Sequence, residues 1–431
     1  MLDGGRLSAA IEVLAAIEER HLTARLALKA WGERARYAGA RDRAFVSGVV
    51  LDVLRRRRSL AWMMDDAGDR AAVLASVRFL WEWPFERVAA TALEEHGPGD
   101  LSPSERRALA SPRPLEQAPD AVRGDYPDWL EPHMERAFGG ARAAEAVALA
   151  ARAPVDLRVN TLKTDTAHVL KALAPFNVQS VEGLETALRI AAPAASERAV
   201  SVESAPAFGK GWFEIQDLGS QIAAATAGPV AHRQVLDFCA GGGGKTLALA
   251  AAMGNTGQLY AYDSDARRLS DTVRRAQRAG VRNLQIRSPI DAAALDGLAS
   301  RMDLVFVDAP CTGSGAWRRR PDAKWRLTPR QLERRMAEQD AVLSAAAPFV
   351  KPGGRLIYVT CSLFVEENAD RVAAFLASAP EFAIEPVAAI AGRGVAKDGF
   401  LRLTPLTSDT DGFFIAALAK RPFALSGGVD L

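Results

Sequence analysis

From Val235 onward the chain repeats one alternation: short apolar runs at 235–238, 259–262, 284–286, 304–307, 355–359 and 413–418, separated by stretches of helical character. Short runs bounded by glycine and polar residues suit strands. Strands joined through helices must be largely parallel, because each crossover returns the chain to the same edge of the sheet. The expectation is an α/β fold with a mostly parallel, doubly wound sheet. Such a sheet gathers every strand-to-helix loop at one edge, where open sheets bind ligands.

Upstream the pattern changes. Between Leu7 and about Leu93 apolar residues recur at three and four, as in Ile11, Leu14, Ile17 and Phe45, Val49, which predicts an all-helical bundle. The proline-bearing stretch Gly97 to Arg123 reads as a linker or long loop, and Tyr126-Pro127-Asp128-Trp129 opens another helical patch reaching about Ala151. From Val155 to Ile215 short β-like runs surround a helix at Thr166 to Ala172. Three segments follow: residues 1–123 all-helical with a linker, 124–230 a small α+β extension, and 231–431 the large sheet.

With 431 residues, 49% hydrophobic and 25% charged, the chain has apolar material for two or three cores. Three cysteines make no disulfide framework and predict free thiols in a reducing compartment. No leader of the secretory kind and no apolar run of about 18 residues is visible, so a cytoplasmic protein without a membrane span is expected. A net charge of +2 neither demands nor excludes a polyanionic partner. Local clusters say more. Arg55-Arg56-Arg57-Arg58 reads equally as a solvated helix face, whereas Trp317-Arg318-Arg319-Arg320-Pro321-Asp322-Ala323-Lys324-Trp325-Arg326 interleaves charge with rings, as single-stranded RNA binding requires.

The first run leads into Cys239-Ala240-Gly241-Gly242-Gly243-Gly244-Lys245-Thr246, a loop whose glycines let backbone approach a ligand before a helix begins. Asp263, which ends the second run, stands where a carboxylate accepts from ribose hydroxyls. Cys239 occupies the position at which a phosphate-binding loop needs glycine, and Gly241, Gly243 and Thr246 lack the third glycine of a dinucleotide site. S-adenosylmethionine, a nucleoside without phosphates, is the cofactor that remains.

Two later runs each end in a thiol: Asp308-Ala309-Pro310-Cys311 and Thr360-Cys361-Ser362. Neither cysteine forms a Cys-x-x-Cys pair, and the five histidines (His21, His96, His133, His168 and His232) lie outside both motifs, so a metal site and Cys/His hydrolysis are disfavoured. Carbon-5 methylation of a pyrimidine needs both a thiolate and a methyl donor. The thiolate adds to carbon 6 and makes carbon 5 nucleophilic, an acid such as Asp308 steadies the adduct, and the base must first leave its stack. The residues alone do not rank the two thiols, and Cys239 is expected only to pack or to lend backbone contacts.

At these residues the chain resembles the Sun/Fmu family of RNA cytosine-5 methyltransferases, in its RsmB-like branch. The loop Cys239 to Thr246, Asp308 to Cys311 and Thr360 to Ser362 are similar to that family's cofactor loop and its motifs IV and VI. Arg158-Val159-Asn160, Gln216-Asp217-Leu218 and Asp411-Gly412-Phe413-Phe414 are further echoes. The resemblance implies a Rossmann-like class I methyltransferase domain, the α+β extension, and a NusB-like RNA-binding helical domain. It assigns the nucleophile to Cys361 and product release to Cys311, and sets Asp308 and Lys245 against the base. It gives the cofactor to Cys239, Ala240, Gly241, Gly242, Gly243, Gly244, Lys245, Asp263, Ser288 and Asp308. Two departures stand out: Gly242 replaces a usual proline, and Ser288 stands where an aspartate usually meets adenine, with Asp291 as an alternative. The implied partner is RNA, ribosomal before transfer RNA; nothing in the residues suggests an obligate dimer, and a monomer is expected. The rival is a methyltransferase-fold assembly factor without catalysis.

Overall fold

Helical periodicity and strand periodicity separate along the chain, and the computed structural model, which describes residues 1–195, 197 and 201–422, folds them into two units. The first comprises Met1–Ala153, Ala192–Val200 and Trp317–Leu327. Its helices are α1 (Asp3–Glu19), α2 (Ala24–Arg34), α3 (Ala40–Arg55), α4 (Arg57–Met64), α5 (Asp69–Ala75), α6 (Phe85–Ala92) and α7 (Pro103–Ala110), followed by shorter ones. Leu7, Leu14, Val46, Val49, Val53, Leu60 and Leu74 point into a common core with at most 1% of their surface exposed.

The stretch expected as a linker is folded. Its prolines start helices instead of excluding them: Pro103 is the first residue of α7, whose Ser102 and Glu105 form a reciprocal capping box, and Pro119 precedes the helix Asp120–Arg123. The helical unit also runs past residue 123. Asp125, fully buried, accepts the backbone N–H groups of Arg58 and Ser59, both at 2.9 Å, and the Ser59 hydroxyl at 2.8 Å. It thereby caps α4 from 66 residues away.

The second unit holds Pro154–Ala191, Ser201–Ala316 and Thr328–Leu431. Its strands are β1 (Val155–Val159), β2 (Gln179–Val181), β3 (Leu184–Ile190), β4 (Phe213–Ile215), β5 (Gln234–Asp237), β6 (Gln258–Tyr262), β7 (Leu284–Arg287), β8 (Met302–Asp308), β9 (Val350–Thr360), β10 (Phe382–Glu385), β11 (Val395–Lys397), β12 (Phe400–Leu403) and β13 (Phe413–Lys420). The first four form an antiparallel sheet in the order β2-β3-β1-β4, with the helix Thr166–Ala172 at its expected bounds.

The large sheet runs β11-β12-β13-β9-β8-β5-β6-β7, with β10 paired to β13. Neighbours from β9 through β7 are parallel, and β13 is antiparallel to β9 from Phe414↔Thr360 to Ala419↔Arg355. All six apolar runs are strands, and Leu304 to Val307 is buried without interruption, as a strand covered on both faces should be. The order turns around at β5, because β6 lies on one side of it and β8 on the other. That switch point opens a crevice at the strands' carboxyl ends.

Candidate active site

Five adjacent strands deliver the expected residues to one edge. In spatial order these are Ser288 after β7, Asp263 after β6, the glycine loop after β5, Asp308 and Cys311 after β8, and Cys361 after β9. The register aligns Asp308 with Val359, and the Ala309 N–H donates to the Val359 carbonyl at 2.8 Å, so the two thiol-bearing turns leave the sheet side by side.

The glycine loop is a cradle of backbone donors. Gly243, at φ +84°, caps the helix Gly244–Ala252, and a Cβ there would sit 2.9 Å from Thr272. No side chain caps that helix, and a Cβ at Gly244 would meet nothing within 4 Å, so its first turn opens onto free space. Asp263 is buried, and its two oxygens accept the N–H groups of Gly241 at 2.9 Å and Asp265 at 2.8 Å. Each oxygen keeps a second lone pair, which suits the hydroxyls of a ribose. Beneath the loop Asp237 accepts from the Thr246 hydroxyl at 2.6 Å, while its other oxygen is buried without a partner. Burial pushes Asp237 up to about 7. This donor and acceptor set fits a nucleoside that carries an amino-acid tail.

Ser288 accepts from the Ile290 N–H at 3.4 Å, and Asp291 is exposed and occupied with the Ala293 N–H at 2.9 Å. Cys239 packs against the sheet core, and its thiol is pushed well up by burial, in keeping with a packing role.

Across the switch point the chemistry changes. Lys245 donates to the Asp308 carboxylate at 2.6 Å and lies 5.2 Å from the centre of the Phe413 ring. Burial works against its charge, but Asp308, Cys361 and Asp237 together hold its proton more tightly than in water. Cys311 Sγ and Cys361 Sγ are 3.4 Å apart and both thiols are free. Contact with Cys361 and then burial drive the Cys311 thiol well up.

A second layer holds this pair, and the sequence did not reveal it. Glu367 is fully buried, and its carboxylate accepts from the Thr312 N–H at 2.8 Å, from the hydroxyls of Thr312 and Ser362, and from the Gln339 amide at 3.0 Å. Thr312 follows Cys311 and Ser362 follows Cys361, so one carboxylate fastens both thiol turns. Gln339 also donates to the Pro310 carbonyl at 2.9 Å, and the Gly315 N–H to the Cys361 carbonyl at 2.9 Å. Gly315 must be glycine, because a Cβ there would lie 2.1 Å from the Gly412 carbonyl oxygen. The only sequence signal was a pair of glutamates after Ser362, and burial, which distinguishes Glu367 from Glu366, is not written in residue type.

The other echoed motifs brace the unit. Arg158 donates to Gln216 at 2.7 Å, Asn160 to the carbonyls of Gly211 and Ala279 at 2.8 Å each, and Asp217 caps the helix Leu218–Ala225 while accepting the Asp411 N–H.

The basic stretch after Cys311 corrects its expectation. Trp317, Arg318 and Lys324 are buried, the Trp325 indole donates to the Leu54 carbonyl at 2.7 Å, and Lys324 donates to the Arg55 carbonyl at 2.9 Å. Burial pulls Lys324 down to about 7, so it is no phosphate contact. The tetra-arginine is a set of ion pairs: Arg55 with Asp52, Arg56 with Asp125, Arg57 with Asp69 and Arg58 with Asp128.

Comparison with known proteins agrees with this geometry. The family model "16S rRNA methyltransferase RsmB/F" matches residues 224–419, and its associated ferredoxin-like domain matches 126–197. A ribosomal RNA small subunit methyltransferase B from Shewanella oneidensis is 31% identical over 310 residues, covering 71% of this chain and 70% of that protein. The chain belongs to the RsmB/F methyltransferase family. Over a longer span, a probable ribosomal RNA small subunit methyltransferase B from Synechocystis sp. is 29% identical across 412 residues, 88% of this chain and 91% of that one. Among solved structures, a methyltransferase homologue from Pyrococcus horikoshii aligns at TM-score 0.59 and 27% identity, covering 70% of this chain and 97% of its own. The RsmB/F chain described here is an S-adenosylmethionine-dependent RNA cytosine-5 methyltransferase. Among the described residues no helix is long and apolar enough to cross a membrane.

Proposed function

We propose that this chain methylates a cytosine of small-subunit ribosomal RNA through a covalent adduct on Cys361, with Cys311 completing release. The observation that carries the assignment is the 3.4 Å approach of the two thiols at the strand ends that also hold the Lys245–Asp308 pair. The substrate follows the relatives' names, which specify the RNA of the small subunit. A cytoplasmic monomer suits that substrate and the free thiols.

Cys361 adds as a thiolate to carbon 6 of the flipped base, and the electron pair of the 5,6 double bond moves toward carbon 5 and the ring. Asp308 accepts from the exocyclic amine, and a proton passed from Lys245 through the Asp308 carboxyl reaches N3 as the electron pair arrives there. The backbone from Cys239 to Lys245, with Asp263 and Ser288, would hold S-adenosylmethionine, which supplies an electrophilic methyl group on sulfonium. Once the Cys361 sulfur is a thioether it carries no charge, so Cys311, 3.4 Å away, no longer faces a thiol or thiolate neighbour. Cys311 then gives up its proton to solvent and takes the proton from carbon 5 as the carbon–sulfur bond breaks. Cys361 leaves as thiolate.

The test is bisulfite sequencing of RNA with and without the protein, combined with two variants. Cys361→Ala is expected to abolish methyl transfer, and Cys311→Ala to accumulate a protein–RNA adduct that survives denaturing electrophoresis. Full turnover by Cys311→Ala without a trapped species would overturn the division of labour, undiminished methyl transfer by Cys361→Ala would take the nucleophile's role from Cys361, and RNA methylation indifferent to the parent protein would reduce the chain to an assembly factor.

A further inference from the structure

Four glycines in succession have no side chains to hold them, and ordering such a run at the moment a ligand arrives lowers affinity. The run Gly241 to Gly244 is instead tied from outside, by the helix Ala266–Ala279. Thr272, fully buried, donates its hydroxyl to the Gly241 carbonyl at 2.9 Å, and the Arg275 guanidinium donates to the Gly242 carbonyl. The two residues are three apart on the helix and therefore share a face. N–H and C=O point opposite ways across a trans peptide, so holding the Gly241 carbonyl turns the Gly242 N–H away from this helix. Arg275 is itself aimed. Its Nε and Nη2 donate to one oxygen of Glu214 in β4, at 3.2 and 2.9 Å, and the other oxygen accepts from Arg278 at 2.5 Å. Glu214 is 3% exposed. One line of contacts thus runs from the small sheet through Glu214 and Arg275 to the backbone of the glycine loop.

We propose that Thr272 and Arg275 are positioning residues for the cofactor: they preorganise the glycine loop for S-adenosylmethionine, and Arg275 makes the small antiparallel sheet the footing of that loop. Gly241 at φ +53° and Gly243 at φ +84° hold conformations that an untied glycine run visits only part of the time. A ligand's apparent affinity falls by the fraction of chains in the competent form, and each tie raises that fraction before the ligand arrives. The proposal rests on the methyltransferase reading and deepens it, because both side chains act through backbone carbonyls and not on the reacting atoms. It also gives a part in cofactor binding to the small sheet, whose four strands carry none of the crevice residues named above.

Calorimetric titration of the full chain with S-adenosylhomocysteine tests this, since it reads binding without turnover. Thr272→Val keeps the side-chain shape beside Gly243 but loses the hydroxyl, and it should weaken binding about fivefold, with Thr272→Ser restoring it. Arg275→Met removes both the tie to Gly242 and the link to Glu214, and it should weaken binding about tenfold. Arg278→Gln is the control, because Arg278 shares Glu214 but lies over the Phe208 ring and not on the loop, and its affinity should match the parent's. In turnover the same factors should appear in KM for S-adenosylmethionine, with KM for RNA unmoved. Parental affinity in both Thr272→Val and Arg275→Met overturns the proposal. A loss in Arg278→Gln as large as that in Arg275→Met also overturns it, by tracing the effect to Glu214 alone, as does a fall in melting temperature with the affinity of the folded protein intact, the mark of a merely structural role. A parent that binds no S-adenosylhomocysteine defeats the cofactor assignment and the proposal together, whereas a parent that binds it, with variants that bind it equally well, defeats the proposal alone.

Discussion

Two stretches that follow one another in the chain, Asp308 to Ser314 and Trp317 to Arg326, both look functional in sequence, yet only the first keeps its expected partners. The first is positioned by strands. β8 and β9 are parallel and in register, so the residues beyond their ends have nowhere else to emerge, and Cys311 meets Cys361. The second is a charge pattern with no strand to aim it. Its aromatic rings and its lysine turn into the helical unit, where Lys324 is 2% exposed. A motif attached to a regular element inherits that element's geometry. A composition inherits whatever surface it happens to fold against.

Three substitutions probe this contrast. The largest effect is expected at the strand-positioned site: Asp308→Asn removes the acid and the partner of Lys245, and kcat should fall by about 10²–10⁴ with RNA affinity nearly unchanged. Single-turnover methyl transfer measures this, and full rate in the D308N variant would detach the motif from the chemistry. Next comes Glu367→Gln. The amide cannot accept from Thr312, Ser362 and Gln339 as a carboxylate does, so the thiol turns should loosen and kcat drop by about 10–100-fold at constant KM for RNA. A merely structural role would instead move the melting temperature and leave the pH profile of Cys361 alkylation where it was.

The smallest effect belongs to the composition-derived site, Lys324→Met. Folded Lys324 releases its proton near pH 7 whereas the unfolded side chain holds it to about 10.5. Between those values the unfolded state binds the extra proton, so stability should rise with pH in the parent. The methionine variant should lose that rise while keeping RNA affinity and its salt dependence. Denaturant titrations at several pH values, paired with filter binding, check both halves, and weakened RNA binding would return Lys324 to the interface.

The same contrast explains how far the sequence can be read. The five strands that build the crevice are all visible, because a buried parallel strand is a short continuous apolar run, and the loops at their ends carry their own motifs. β10, β11 and β12 are not, since Val395 to Lys397 is exposed throughout and has no apolar signature. The stretch expected as a linker misleads because proline reads as a breaker, whereas Pro103 opens α7. Asp125 shows why a boundary at residue 123 does not divide the units: its partners are Arg58 and Ser59, a distance that periodicity cannot span. Within the site, the two thiols and the Lys245–Asp308 pair are legible and their support is not. Glu367 and Gln339 act through burial and through partners on other elements, and neither property leaves a local pattern.

The place of β13 in the large sheet has a consequence for synthesis. This last strand lies between β12 and β9, so until residue 420 has emerged from the ribosome β9, the strand that presents Cys361, is an unprotected edge. A chain cut short of β13 has the Cys361 thiol but no finished sheet to aim it, and exposes a pairing surface that invites aggregation. The geometry around Cys361 is therefore complete only once β13 has paired with β9.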